Sequence, residues 1–159
     1  MFPCVAMKPI EDILQMPPIE DPYLRLHVNL LYTGGWLQNR FTQLLKPYGI
    51  SEPQFNVLRI LRGQRGAAMS LLEVQQRMVH PDSNVSRLID KLVEKKLVSR
   101  VPRESNRRKV DLFITEQGMS LLEQMDPIVN DQRQDLLGML KPEEAITLGR
   151  LLDRIRDQE

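Results

Sequence analysis

The sequence predicts a mainly α-helical protein that carries one small β-hairpin. Three observations predict it. Apolar residues recur at three- and four-residue steps through most of the chain, the spacing of amphipathic helices. Two short segments, residues 97–102 and 110–115, instead alternate as strands do and flank an arginine-rich turn. Capping signals and prolines cut the helical pattern into separate pieces.

Taken in order, residues 1–22 hold Pro3, Pro9, Pro17, Pro18 and Pro22, a density that permits only a short helical turn near residues 11–16. A long helix is expected over 23–46, with Leu24, Val28, Leu31, Tyr32, Leu37, Phe41, Leu44 and Leu45 apolar and with Pro47 and Gly49 ending it. Gly34-Gly35 weakens its middle by about 1 kcal/mol per glycine relative to alanine. Ser51-Glu-Pro-Gln54 reads as a capping box for a helix carrying Phe55, Val57, Leu58, Ile60 and Leu61. Ser70-Leu-Leu-Glu73 is a second box, opening a short helix through Met78 with Leu71, Leu72, Val74 and Met78 turned inward. The next helix, about 82–96 with His80 or Asp82 as cap, has the stripe Val85, Leu88, Ile89, Leu92, Val93. Packing that stripe on a core turns Ser83, Asn84, Ser86, Arg87, Asp90, Lys91 and Glu94 outward. The turn over 103–109 has no apolar anchor and is expected to project as a wing. Thr115 caps a further helix that Pro127 bends, and Lys141-Pro-Glu-Glu144 restarts the last one, with acids where the helix dipole favours them.

A helix with a polar leading end beside a basic hairpin is the working surface of a winged helix-turn-helix, which reads one groove of DNA with the helix and the neighbouring groove or backbone with the hairpin. Charge points the same way. From Arg87 to Lys109 there are nine Lys/Arg and three Asp/Glu, a net +6 in a chain whose total is +1, so the rest sums to −5. Positive charge gathered in one short segment of a near-neutral protein is a polyanion footprint. The competing account is a solvated helix with an ordinary charged hairpin.

Composition excludes several other classes. At 159 residues, 42% hydrophobic and 27% charged, the chain is ordinary for a soluble domain. It has no apolar run near the ~20 residues that span a bilayer and no secretory pattern at its start. A single cysteine, Cys4, and two histidines, His27 and His80, make no metal-ligand cluster. Phosphate loops, nucleophile elbows and paired catalytic carboxylates are not evident, so the expectation is a cytoplasmic protein that is not an enzyme and uses no metal or cofactor. The organisation expected is an arm (1–22), a dimerisation helix (23–48), a winged helix-turn-helix DNA-binding domain (49–115) and C-terminal dimerisation helices (116–159). The end helices have apolar stripes but little body to bury them, so a second copy of the chain is the expected cover.

The order of elements resembles the MarR family of bacterial regulators from about Tyr23 to the C-terminus. The residues that carry the resemblance are Ser51-x-x-Gln-Phe-x-Val-Leu58, Ser70-Leu-x-Glu73, Asn84-Val-Ser-Arg-Leu-Ile-Asp-Lys-Leu92, Leu97-Val98, Asn106-Arg-Arg108, Ile114-Thr-x-x-Gly118 and Leu140-x-Pro-Glu-Glu144. The resemblance implies a two-fold dimer held by its terminal helices, acting on near-palindromic operators, usually as a repressor, and often released by a small phenolic or other lipophilic anion. Two departures stand out. The family wing usually reads Asp-x-Arg, whereas Asn106 stands first here with Arg108 kept. Lys96 stands where a glycine commonly ends the recognition helix.

The candidate contacts follow. Asn84 and Arg87 are the base readers, since Asn pairs bidentately with adenine and Arg with guanine. Ser83 and Ser86 are expected at phosphate or weakly at a base edge, with helix capping the equal alternative for Ser83 and a salt bridge to Asp90 or Glu94 the alternative for Arg87. Lys91 extends the same face. Arg108 is expected in the minor groove, and Arg103, Arg107 and Lys109 on the backbone. Ser70, at a helix start, can donate to phosphate or simply cap. Tyr32 and Trp36, four apart on the first long helix, are candidates to line a pocket for a small aromatic or lipophilic effector, or to be core. Two further readings stay open: a winged-helix protein-interaction module without operator binding, and a redox-responsive regulator using Cys4.

Overall fold

The computed structural model describes residues 8–80, 83–103 and 106–157, with the backbone alone at 106–109 and 136. Cys4 and Asp82 lie outside the described residues. The elements run α1 (Ile10–Leu14), α2 (Pro22–Leu45), a 3-10 turn (Lys46–Tyr48), α3 (Glu52–Gly63), α4 (Leu71–Gln76), α5 (Val85–Glu94), β1 (Val98–Arg103), β2 (Asn106–Ile114), α6 (Glu116–Leu137) and α7 (Pro142–Arg156). The chain divides into two compact units, Met1–Glu52 and Pro53–Glu159.

In the first unit, α1 is tied to α2 by Glu11, whose carboxylate takes Arg25 Nε at 2.6 Å and Nη2 at 3.2 Å. Asp21 caps α2, accepting from the Tyr23 N–H, and Pro22 sits where its missing N–H is not needed. The helix runs unbroken through Gly34-Gly35. It ends at the proline-bearing 3-10 turn and at Gly49, whose φ of 65° is open to glycine at no steric cost.

The second unit contains the helix-turn-helix and its hairpin. Its core is Phe55, Val57, Leu58 and Leu61 of α3, Met69, Val74 and Met78 around α4, Val85, Ile89 and Leu92 of α5, Leu97, Val98 and Leu112 of the hairpin, and Leu122 and Met125 of α6. The capping box at α4 is formed: Ser70 Oγ accepts from the Glu73 N–H, and Glu73 accepts from the Ser70 N–H at 2.7 Å. The helix stops at Gln76 rather than Met78. Leu72, expected inward, is 62% exposed. In so short a helix only the Leu71/Val74 side can face the core, and Leu72 lies about 100° round from Leu71.

α5 begins later than the periodicity suggested, and its cap is neither His80 nor Asp82. Asn84 takes the position, its Oδ1 accepting from the Arg87 N–H at 3.1 Å. At the other end Lys96 adopts φ 58°. Its N–H bonds Val93 O and the Leu97 N–H bonds Leu92 O, each at 2.9 Å, so the helix closes in a Schellman turn with lysine in glycine's place.

The two strands pair antiparallel, Val98 opposite Ile114 through Pro102 opposite Val110. The pairing then shifts register and Arg103 lies opposite Asn106. The wing is therefore more strand than the sequence suggested. Asn106–Lys109, expected in a turn, belong to β2. Asn106 pairs with Arg103 beyond the shift, and the strand backbone runs on through the polar residues between it and Val110. Met69 joins the sheet edge through a bridge to Leu112. Thr115 caps α6, accepting from the Gly118 N–H at 3.1 Å and donating to Lys96 O at 2.7 Å, which fastens the end of α5 to the start of α6.

Candidate nucleic-acid interface

α5 presents two faces of opposite character. Val85, Ile89 and Leu92 are at most 3% exposed, while Asn84, Ser86, Arg87 and Lys91 are exposed. Asn84, Arg87 and Lys91 follow at i, i+3 and i+7, which sets them on one stripe along the helix. Among the described residues no side chain pairs with the Arg87 guanidinium or the Lys91 ammonium. One rival expected for Arg87 is engaged elsewhere: Asp90 holds Arg100 Nη1 at 2.7 Å. Ser83 is half-buried just before the helix, its N–H bonded to His80 O, and it is not the cap. Asn84 is both a candidate reader and the cap. With Oδ1 turned to the Arg87 N–H, its amide nitrogen remains as a donor.

Ser70 spends its hydroxyl proton on Glu73 Oε2 at 2.6 Å, so donation to a phosphate would compete with that carboxylate. The Ser70 hydroxyl and N–H together hold the Glu73 carboxyl below its ordinary range, with smaller help from Arg77 and Arg103. Arg107, Arg108 and Lys109 follow one another along β2 beyond the register shift. Arg103, expected on the DNA backbone, is bound to Asp111 in the free chain, Nη2 to Oδ1 at 2.5 Å with Nε close to both oxygens. This pair and the Asp90–Arg100 pair were missed in the sequence. Arg103 and Asp111 are eight residues apart and become diagonal neighbours only once Val101 is known to lie opposite Asp111.

Tyr32 and Trp36 belong to the first unit and are 38% and 40% exposed within a single chain, so they are not core there. The Arg40 guanidinium lies 5.3 Å from the Trp36 ring centroid, over its face. Among the described residues no group of His, Cys, Asp or Glu could hold a metal ion, and no helix is long and apolar enough to cross a membrane.

An amphipathic reading helix, a capped supporting helix and a basic hairpin define a winged helix-turn-helix, a DNA-binding class. A MarR family profile matches residues 50–110. The multiple antibiotic resistance protein MarR of Escherichia coli is 30% identical over 114 residues, covering 71% of this chain and 78% of that one. A solved structure of a cysteine-to-serine variant of E. coli MarR, complexed with operator DNA, is 26% identical with a TM-score of 0.70, covering 86% of this chain and 99% of that one. The regulator BpsR of Bordetella bronchiseptica, whose DNA binding is regulated by 6-hydroxynicotinic acid, is 27% identical with a TM-score of 0.72, covering 90% and 100%. The chain belongs to the MarR family of DNA-binding transcriptional regulators, which are not enzymes.

Proposed function

We propose that this chain is a cytoplasmic homodimeric repressor that binds a near-palindromic operator and is released by a small aromatic or lipophilic effector. The observation that carries the reading is the solvent-facing stripe of Asn84, Arg87 and Lys91, its two cationic heads without a side-chain partner among the described residues, on a helix whose opposite face is buried. In this reading Arg87 and the free amide nitrogen of Asn84 take base edges in the major groove. Ser83, Ser86 and Lys91 hold the flanking phosphates. Arg108 enters the minor groove, with Arg107 and Lys109 on its backbone, and Ser70 joins at phosphate if Glu73 yields its hydroxyl. The operator complex of the E. coli relative supports this use of the fold.

Support for two-fold assembly comes from α7. None of its residues is buried within one chain, yet Leu148, Leu151 and Ile155, which share one face at i, i+3 and i+7, are large, apolar and 42–48% exposed. A dimer covers such a stripe and sets two reading helices one helical turn of DNA apart. Support for an effector comes from the 6-hydroxynicotinic acid response of the Bordetella relative and from the partly exposed Tyr32 and Trp36. A lipophilic anion can stack on these rings beside Arg40.

The test is a titration onto a duplex selected by the protein from a random pool, at several salt concentrations. Operator affinity should fall steeply with salt. Arg87→Ala should cost about 1–3 kcal/mol and relax the preference at one base pair. Weak binding that ignores both sequence and Arg87 would end this reading.

A further inference from the structure

The wing of this protein lacks the aspartate that the family usually places where Asn106 stands, yet it must hold Arg107–Lys109 in one orientation to be of use to DNA. The root of the hairpin contains a fork-shaped ion pair. Arg103 Nη2 meets Asp111 Oδ1 at 2.5 Å, and Nε meets Oδ1 at 3.1 Å and Oδ2 at 3.3 Å. The pair spans the place where strand register shifts, between Pro102 and Arg103. Such a shift leaves backbone groups unpaired and loosens the ladder, so beyond it side chains must supply what the hydrogen bonds do not.

The clasp is also tied to the helix-turn-helix. Leu112, next to Asp111, exchanges both backbone hydrogen bonds with Met69, at 2.8 and 3.2 Å. Met69 precedes Ser70, the cap of α4, and Glu73 of that cap is close enough to Arg103 for each charge to favour the other's ionisation. Arg103 is thus bonded to Asp111 on its own hairpin and more weakly attracted by Glu73 on α4, whose charge Arg77 also favours. Asp111 is the more enclosed partner, its side chain 18% exposed against 38% for Arg103. A bidentate, charge-assisted pair is stronger and more directional than a single hydrogen bond.

The geometry points to Arg103 and Asp111 as positioning residues for DNA recognition, a clasp at the wing root that steadies the strand carrying Arg107–Lys109. The inference rests on the DNA-binding reading and reassigns Arg103 from phosphate contact to scaffold.

The sign of one substitution separates the two roles. Asp111→Asn removes a negative charge near the DNA and frees Arg103. If Arg103 binds phosphate, affinity for the selected duplex should hold or rise. If it is a clasp, affinity should fall by about tenfold although the protein has become more positive. In the Asp111→Asn background Arg108→Ala should then cost less than threefold more, because an unaimed wing has little left to lose. The double variant R103D/D111R should recover affinity towards wild type, which a phosphate-binding arginine would not allow. Hydrogen exchange of the free protein reads the clasp without DNA. In Asp111→Asn, and in Arg103→Gln should the first variant fold poorly, amides of Asn106–Val110 should exchange faster while those of the α5 core stay protected. Unchanged wing exchange, or unchanged or tighter duplex binding by Asp111→Asn, overturns the inference. Faster wing exchange in Asp111→Asn, combined with a wild-type protein that selects no duplex, leaves the clasp standing and rejects the DNA reading.

Discussion

At the scale of single residues, two backbone positions near the C-terminal end of α5 make opposite demands. Lys96 holds φ 58° to close α5, a conformation that costs an L-residue roughly 1 kcal/mol and glycine almost nothing. Lys96→Gly is therefore expected to raise stability by about 0.5–1 kcal/mol in urea unfolding, against the usual penalty for added glycine. A loss would mean that the lysine side chain stabilises the turn more than its backbone strains it. Gly118 is the converse. A Cβ there would collide with the Leu97 carbonyl oxygen and come within 2.8 Å of Ile114 Cγ1. Gly118→Ala should cost about 2 kcal/mol or more, since the obstruction includes backbone that other hydrogen bonds hold in place. The same denaturation experiment checks it. The Ile114-Thr-x-x-Gly118 pattern was visible in the sequence, but the reason for its glycine was not, because the close approach of Leu97 depends on how the α5 turn meets α6.

At the scale of elements, α6 is tied to α3 where it is weakest. Pro127 removes a backbone donor inside the helix. The preceding residue, Asp126, takes Arg62 through both oxygens, at 2.6 and 3.0 Å, and Arg59 at 3.3 Å. Hydrogen bonding to Arg62, first among the causes, lowers the Asp126 pKa, and Arg59 adds to it. For a carboxylate with a lowered folded pKa the contribution is full above its unfolded value, about pH 4, and is lost as pH falls through the folded one. Asp126→Asn is thus expected to cost about 1–3 kcal/mol near neutrality. The difference between variant and wild type should shrink as pH drops below 4, readable in denaturant midpoints across that range. A constant difference would mean the lost term is packing, not charge. The proline was legible from the sequence. Its brace was not, since Arg62 and Asp126 are separated by the whole reading head.

At the scale of the molecule, the prediction concerns assembly. Leu151→Glu with Ile155→Glu places charge on the apolar stripe of α7 and should turn the proposed dimer into a monomer in sedimentation, with affinity for the selected duplex falling at least tenfold as the two heads uncouple. Helicity should stay near wild type, because neither side chain is buried within one chain. A dimer that survives would move the interface elsewhere. By itself the sequence determined the element types, the two faces of α5, the caps at Ser70 and Thr115, the basic segment and the family resemblance, all of which rest on local spacing that a single helix or hairpin reads out. The tertiary structure decided what spacing cannot contain. Strand register made Asp111 the partner of Arg103, and packing turned Leu72 outward. Each of these depends on which surfaces meet, and residues far apart in sequence become neighbours only when the chain has closed its core.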